Sequence, residues 1–125
     1  MLTLSRAAAA RFALVAALVC LPLTASADEE RPVNPFADKS DVVPEGKGLF
    51  NQYCAHCHGP DAVQGERPRD LRRLRIRYGD DAIAVFLKTV STGRPEKGMP
   101  VWRGVLPDET LWKIFTFLSS IQTEP

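Results

Sequence analysis

Residues 54–58 read Cys54-Ala55-His56-Cys57-His58, and every other part of the chain takes its meaning from them. Two thiols three positions apart fall on one helical turn, with an imidazole directly after the second. Thiols so spaced can add to the two vinyl groups of a haem while His58 turns toward the iron, the arrangement of a covalent c-type attachment site. Structural zinc needs four ligands, yet every Cys and His after residue 27 lies within these five positions. A thioredoxin-like pair needs a preceding strand in a βαβ unit, whereas the residues before Cys54 read as helix. A structural disulfide is the bland alternative, and it leaves the adjacent His58 without a purpose.

Working outward toward the N-terminus, residues 1–27 have the form of a secretory signal. Arg6 and Arg11 give a positive start, Phe12 to Leu23 an apolar core, and Ala25-Ser26-Ala27 a small-residue cleavage site. The apolar run falls short of the roughly 20 residues a spanning helix needs, so no membrane anchor is expected after cleavage before Asp28. Cys20 leaves with the signal, and the thiols that remain are those of the motif. Arg6 and Arg11 leave too, so the 16 basic residues fall to 14 against 15 acidic ones. That balance implies neither nucleic acid nor an anionic membrane as a partner. The periplasm is the expected compartment. The 98 residues that remain make one small domain, marginal on its own hydrophobic core but helped by a large buried cofactor.

Residues 28–43 carry Pro32 and Pro35, few large apolar side chains and many charges, which predicts an extended N-terminal arm outside the core. The domain proper is expected over 44–125. Pro44 suits a first helical position and Glu45 the first turn; that helix is expected to run to about Cys57, with Leu49, Phe50 and Tyr53 on one stripe. From Gly59 to Tyr78 the chain is polar and interrupted by Pro60, Gly65 and Pro68, predicting a loop with at most one short helical turn. Asp80 to Val90 is expected as a second helix stopped by Gly93. Arg94 to Leu106 is a second loop. Pro107 opens the last helix, with Leu111, Ile114, Phe115, Leu118 and Ile121 in register. No strand pattern emerges, and the expected fold is all-α, wrapped around its cofactor.

The second loop holds Met99, the one methionine after residue 27, in Gly98-Met99-Pro100, 41 residues beyond His58. A lone methionine is ordinarily core filler. In a tight Gly-Pro loop it is instead positioned to offer a thioether to the iron opposite His58, a recognised pairing on electron-transfer haem. Such a ligand closes the iron to small molecules and raises its reduction potential relative to a second nitrogen donor. His56, between the cysteines, is expected to be exposed. Trp102 and Arg103 are either donors to a haem propionate or, respectively, a core and a surface residue. Arg67, Arg69, Arg72, Arg73, Arg75 and Arg77 form the densest charge cluster, either a solvated loop or a surface that steers an acidic redox partner.

Gly46-Lys47-Gly48-Leu49-Phe50-Asn51-Gln52-Tyr53-Cys54, together with Ile114-Phe115-Thr116-Phe117-Leu118, resembles the paired terminal helices of class I cytochromes c, and the resemblance spans most of residues 44–121. It implies a fold of three main helices around covalent haem c, with Phe117 contacting Gly46 and Phe50. It further implies that the carbonyl of Pro68 accepts the proton on the second nitrogen of His58, although Arg67 stands where the family more often has glycine, and that Leu71 packs on the haem face. Gly98-Met99-Pro100-Val101-Trp102-Arg103-Gly104 with the Asn34-Pro35-Phe36 arm is similar to small periplasmic cytochromes that take electrons from pyrroloquinoline-quinone (PQQ) alcohol dehydrogenases. Met-Pro-x-Trp segments also occur in terminal-oxidase subunits.

The expectation is therefore a monomeric, periplasmic single-haem electron carrier and not an enzyme. Its cofactor-binding residues are Cys54, Cys57, Pro68, Leu71, Trp102 and Arg103, with His58 and Met99 on the iron. A PQQ-dependent alcohol dehydrogenase is the expected donor and a terminal oxidase or another cytochrome the acceptor. The alternatives are a gas sensor or weak peroxidase with a labile sixth ligand, and a fixed subunit of an oxidase complex.

Overall fold

The computed structural model describes residues 31–63 and 70–123. Regular structure among them is helical: α1 (Val43–Tyr53), α2 (Ala55–His58), α3 (Leu74–Tyr78), α4 (Ala82–Thr92) and α5 (Asp108–Ser120), linked in part by 3-10 turns. Among the described residues β-type pairing is confined to isolated bridges, Arg94 with Met99 and Arg103 with Leu106. The fold is all-α.

Its frame is the crossing of α1 over α5. Gly46 is buried there because a Cβ would run into the backbone carbonyl of Lys113 and come within 3.1 Å of the Phe117 Cβ. One turn later Phe50, fully buried, packs on Phe117 with ring centroids 5.6 Å apart. The contacts implied for Phe117 are thus present, and the glycine is what lets two backbones approach so closely. Lys113 ties the crossing at its rim, its Nζ 2.8 Å from both Glu45 and Glu109. On the other side of α5, Phe115 meets Phe86 of α4 at 5.1 Å.

Three local expectations need correction. The first helix does not run unbroken to Cys57: it bends at Cys54 (φ −116°) and resumes as α2. Leu71 to Tyr78 is not loop but a 3-10 turn, Leu71–Arg73, leading into α3. Asp70 starts it, its Oδ1 accepting from the Arg72 backbone N–H at 3.0 Å while the Arg72 guanidinium forks back onto both carboxylate oxygens at 3.0 and 3.1 Å. The far end of the chain then ties this segment down: Gln122 Nε2 donates to Leu71 O, Thr123 N–H to Arg72 O, and Gln122 Oε1 accepts from the Arg75 N–H. Such bonds, some 50 residues long in sequence, leave no local signature.

The arm is the third correction. Its described part does not extend away but turns at residues 35–38, forms a 3-10 turn at Ser40–Val42 and lies against α5. Asn34 is buried; its Nδ2 donates to Thr116 Oγ1 at 2.9 Å, and its Oδ1 accepts from the Phe36 N–H at 3.0 Å. One asparagine satisfies both the turn and the helix, which is why polar composition misreads the segment. A cavity of about 550 Å³ lies between this arm, the α3–α4 corner and α5, lined in part by Val43, Leu74, Ile83, Phe115 and Gln122.

The Asp70–Arg72 fork carries a pH prediction. Arg72 holds the Asp70 carboxyl below the usual carboxylate range, by its hydrogen bonds and its charge. The ionised form is therefore favoured in the folded state, so the stabilisation is present above the unfolded carboxylate value and is lost as pH falls through the lower folded value. Asp70→Asn is expected to lower the thermal midpoint at pH 7, with the gap to wild type closing below about pH 4. An equal gap at pH 3 and pH 7 in thermal unfolding would contradict this role.

Candidate cofactor site

Cys54 sits at the bend between α1 and α2, half-buried, with Cys57 exposed one turn on; both thiols are free. The Cys57 and His58 N–H groups donate to the Cys54 carbonyl at 3.2 and 3.0 Å, so the motif is held as one helical turn. Burial, assisted by the neighbouring Cys57, pushes the Cys54 thiol up to about 11. A redox-active Cys-x-x-Cys has the opposite tuning, a depressed pKa that exposes a thiolate. His58 closes α2 half-buried, and His56 is exposed.

After His58 the backbone turns sharply, with Gly59 at φ 78°, Asp61 at 55° and Ala62 at 60°. Left-handed geometry at two successive residues with side chains costs on the order of 1–2 kcal/mol each. Asn51 of α1 holds it: its Nδ2 donates to Asp61 Oδ1 and its Oδ1 accepts from the Asp61 N–H, both at 2.8 Å, and Lys47 adds an ion pair at 3.0 Å. Sequence reading missed this pair, whose one local trace is an Asn three positions before the first cysteine and an Asp three after the histidine.

The methionine segment is equally defined. Arg94 and Met99 exchange both backbone hydrogen bonds, at 2.9 and 3.0 Å, closing a loop that contains the 3-10 turn Pro95–Lys97 and a left-handed Gly98. The Trp102 N–H donates to the Val90 carbonyl near the end of α4, at 2.9 Å. Met99 is half-buried against the core. Trp102 is also half-buried and meets Tyr53, the last residue of α1, edge to face at 6.1 Å. Arg103 is exposed. Leu71 packs partly buried on the same core.

Pro68 lies outside the described residues, as do Arg67 and Arg69. Of the remaining arginines, Arg72 is committed to Asp70, which breaks the uniformity of that basic run. The cavity beside the arm is bordered by Asn34, Arg75 and Phe115 but by none of the described residues expected to hold the cofactor. Cys54, Ala55, Leu71, Leu87, Met99 and Trp102, in contrast, all pack on one hydrophobic core. Cys54 and Met99 rest on that apolar surface, Cys57 and His58 follow Cys54 on one turn, and thiols, an imidazole and a thioether are the donor set that haem c requires.

An all-α fold with a Cys-x-x-Cys-His turn on crossed terminal helices defines a class I c-type cytochrome. The chain belongs to the family described as cytochrome c oxidase, cbb3-type, subunit III, whose model matches residues 41–118. It is 33% identical over 103 residues to cytochrome c550 of Pseudomonas aeruginosa, which covers 77% of this chain and 70% of that protein. It is 29% identical over 96 residues to the cbb3-type oxidase subunit CcoP of Azospirillum sp. (strain B510), covering 71% of this chain and 32% of the subunit. Over 92 residues it is 29% identical to quinohemoprotein alcohol dehydrogenase ADH-IIG of Pseudomonas putida, covering 70% of this chain and 12% of the enzyme. No solved structure shows significant similarity. The chain is thus a single-haem electron carrier with covalently bound haem c. No described helix is long and apolar enough to cross a membrane.

Proposed function

We propose that this cytochrome is a periplasmic carrier with His/Met-ligated haem, reduced by a PQQ-dependent alcohol dehydrogenase and oxidised by a terminal oxidase or another cytochrome. Haem c supplies an iron that exchanges one electron between ferric and ferrous states. Cys54 and Cys57 would hold the group through thioethers, and His58 and Met99 would be the donors to its iron. By the family resemblance, the Pro68 carbonyl would orient His58 by accepting its ring N–H. Leu71 would line the haem face, and Trp102 and Arg103 would donate to a propionate. In this reading residues 1–27 direct export and are removed, and residues 28–43 precede the carrier domain of 44–125.

The observation that carries the axial assignment is that Met99 rests on the same core as the motif helix, in a loop closed by its own backbone pairing. Thioether ligation favours the ferrous form and leaves no open position for a substrate, which suits a carrier. The alcohol dehydrogenase assignment draws on the similarity to ADH-IIG and on the Asn34-Pro35-Phe36 and Met99-Pro100-Val101-Trp102 segments.

Stopped-flow mixing of the purified ferric protein with quinoprotein alcohol dehydrogenases and their alcohols is expected to give rapid reduction by at least one of them. No reduction by any would remove the donor while leaving the carrier. The family model and the likeness to CcoP favour a second reading, a subunit fixed in an oxidase complex. That reading requires the native protein to co-purify with membranes and oxidase activity.

A further inference from the structure

Gly93 follows α4 with φ +66°, which is ordinary for a helix stop. Its surroundings are not. A Cβ built there would lie 2.8 Å from the Pro100 carbonyl carbon and 2.9 Å from both the Met99 and Pro100 carbonyl oxygens. The backbone on either side of the Met99–Pro100 peptide therefore lies directly against residue 93, where no side chain fits. Immediately beside this contact Arg94 and Met99 exchange their two backbone hydrogen bonds, and three residues beyond Met99 the Trp102 N–H is anchored on Val90. Met99 is consequently fixed from both chain directions to the end of α4.

This clasp secures the methionine to α4, but α4 does not carry the haem motif. Tyr53 against Trp102 is a contact that joins the two. Tyr53 immediately precedes Cys54, and Trp102 lies three residues after Met99. An edge-to-face pair of this kind adds attraction beyond simple burial and sets the angle and separation of the segments that bear the rings.

We propose that Gly93 and the Tyr53–Trp102 ring pair are positioning residues for Met99: Gly93 lets the methionine segment seat on α4, and the rings set its distance from the Cys54–His58 turn. The inference rests on Met99 being the sixth ligand. The thioether is then presented by the folded chain, at a place defined by packing, and bonding to iron costs little further ordering of the loop. A small exogenous ligand has to displace a donor whose backbone this clasp holds in place.

The test uses the holoprotein. In wild type, the sulfur-to-ferric-iron far-red band is expected at neutral pH, carbon monoxide is expected to bind the ferrous form slowly, and the Met99 and Trp102 amides are expected to exchange slowly with deuterium. Gly93→Ala and Tyr53→Ala are each expected to weaken or abolish the band and to speed carbon monoxide binding at least tenfold. Tyr53→Phe keeps the ring and is expected to keep both properties.

If both alanine variants lose thermal stability yet retain the wild-type band and carbon monoxide rate, the residues are merely structural and the inference falls, with Met99 ligation intact. Loss of the band in Tyr53→Phe as well would assign the effect to the hydroxyl and overturn the role of the ring pair. A wild type without the band that binds carbon monoxide rapidly would overturn the ligand assignment, and this inference with it. If Gly93→Ala does not fold, the comparison of Tyr53→Ala with Tyr53→Phe decides.

Discussion

Gly46→Ala is expected to destabilise the folded holoprotein by about 2–3 kcal/mol or more, although the same change at an open helical site stabilises. In the interior of α1 alanine gains roughly 0.5–1 kcal/mol over glycine, through the smaller entropy lost on folding. Against this stands the Lys113 backbone carbonyl, which occupies the place of the added methyl group, with the Phe117 Cβ 3.1 Å away. A flexible side chain could rotate aside, but a carbonyl inside α5 moves only if the helix moves. The crossing would open, loosening the Phe50–Phe117 contact at the centre of the core. Gly48, two residues along the same helix, is the control. Nothing lies within 4 Å of a Cβ built there, so Gly48→Ala should stabilise by up to about 1 kcal/mol. Opposite signs for the two variants in guanidinium unfolding are the required outcome; matching signs would mean that α1 and α5 do not cross at Gly46.

The second large effect is at Met99. Met99→Ala should abolish the far-red sulfur-to-iron band, lower the midpoint potential and open the ferrous form to carbon monoxide. The direction follows from the thioether, a soft neutral donor that favours the reduced state. Met99→His separates ligand identity from site opening. It should keep carbon monoxide out while lowering the potential by on the order of 0.1 V or more, within the ~0.8 V that axial ligands span. Titration of the two variants beside wild type checks both. A wild-type potential retained in Met99→Ala would assign the sixth position to another residue.

How much of this was legible before folding depends on whether a feature is local. The stripes of α1 and α5 follow from spacing, because Leu111, Ile114, Phe115 and Leu118 recur at helical period whatever they touch. Gly93 was legible as a stop after α4, since a terminal glycine needs no partner to be recognised. Its second task, admitting the Met99–Pro100 backbone, was not, because that neighbour is brought up by the return of the chain through Trp102 and Val90. The arm was misread for a related reason. Asn34 looks like a loop residue until Thr116, 82 positions away, receives its amide. The same holds for Leu71 to Tyr78, which α5 and the residues after it tie down from the far end of the chain.

For the site, the chemistry preceded the geometry. Cys54, Cys57, His58 and Met99 stood out as candidate donors because thiol, imidazole and thioether are scarce after residue 27 and each has few uses. The Asn51–Asp61 pair escaped because amides and carboxylates are common and gain meaning only from what they face. Sequence alone thus determined the class of this protein and its main helices, and it named the candidate donors, all matters of residue identity and short-range period. Tertiary structure alone decided how close α1 and α5 lie, where the arm rests and how the Met99 segment is held to the end of α4. These depend on contacts between segments distant in the chain, whose energies exist only once the backbone has brought them together.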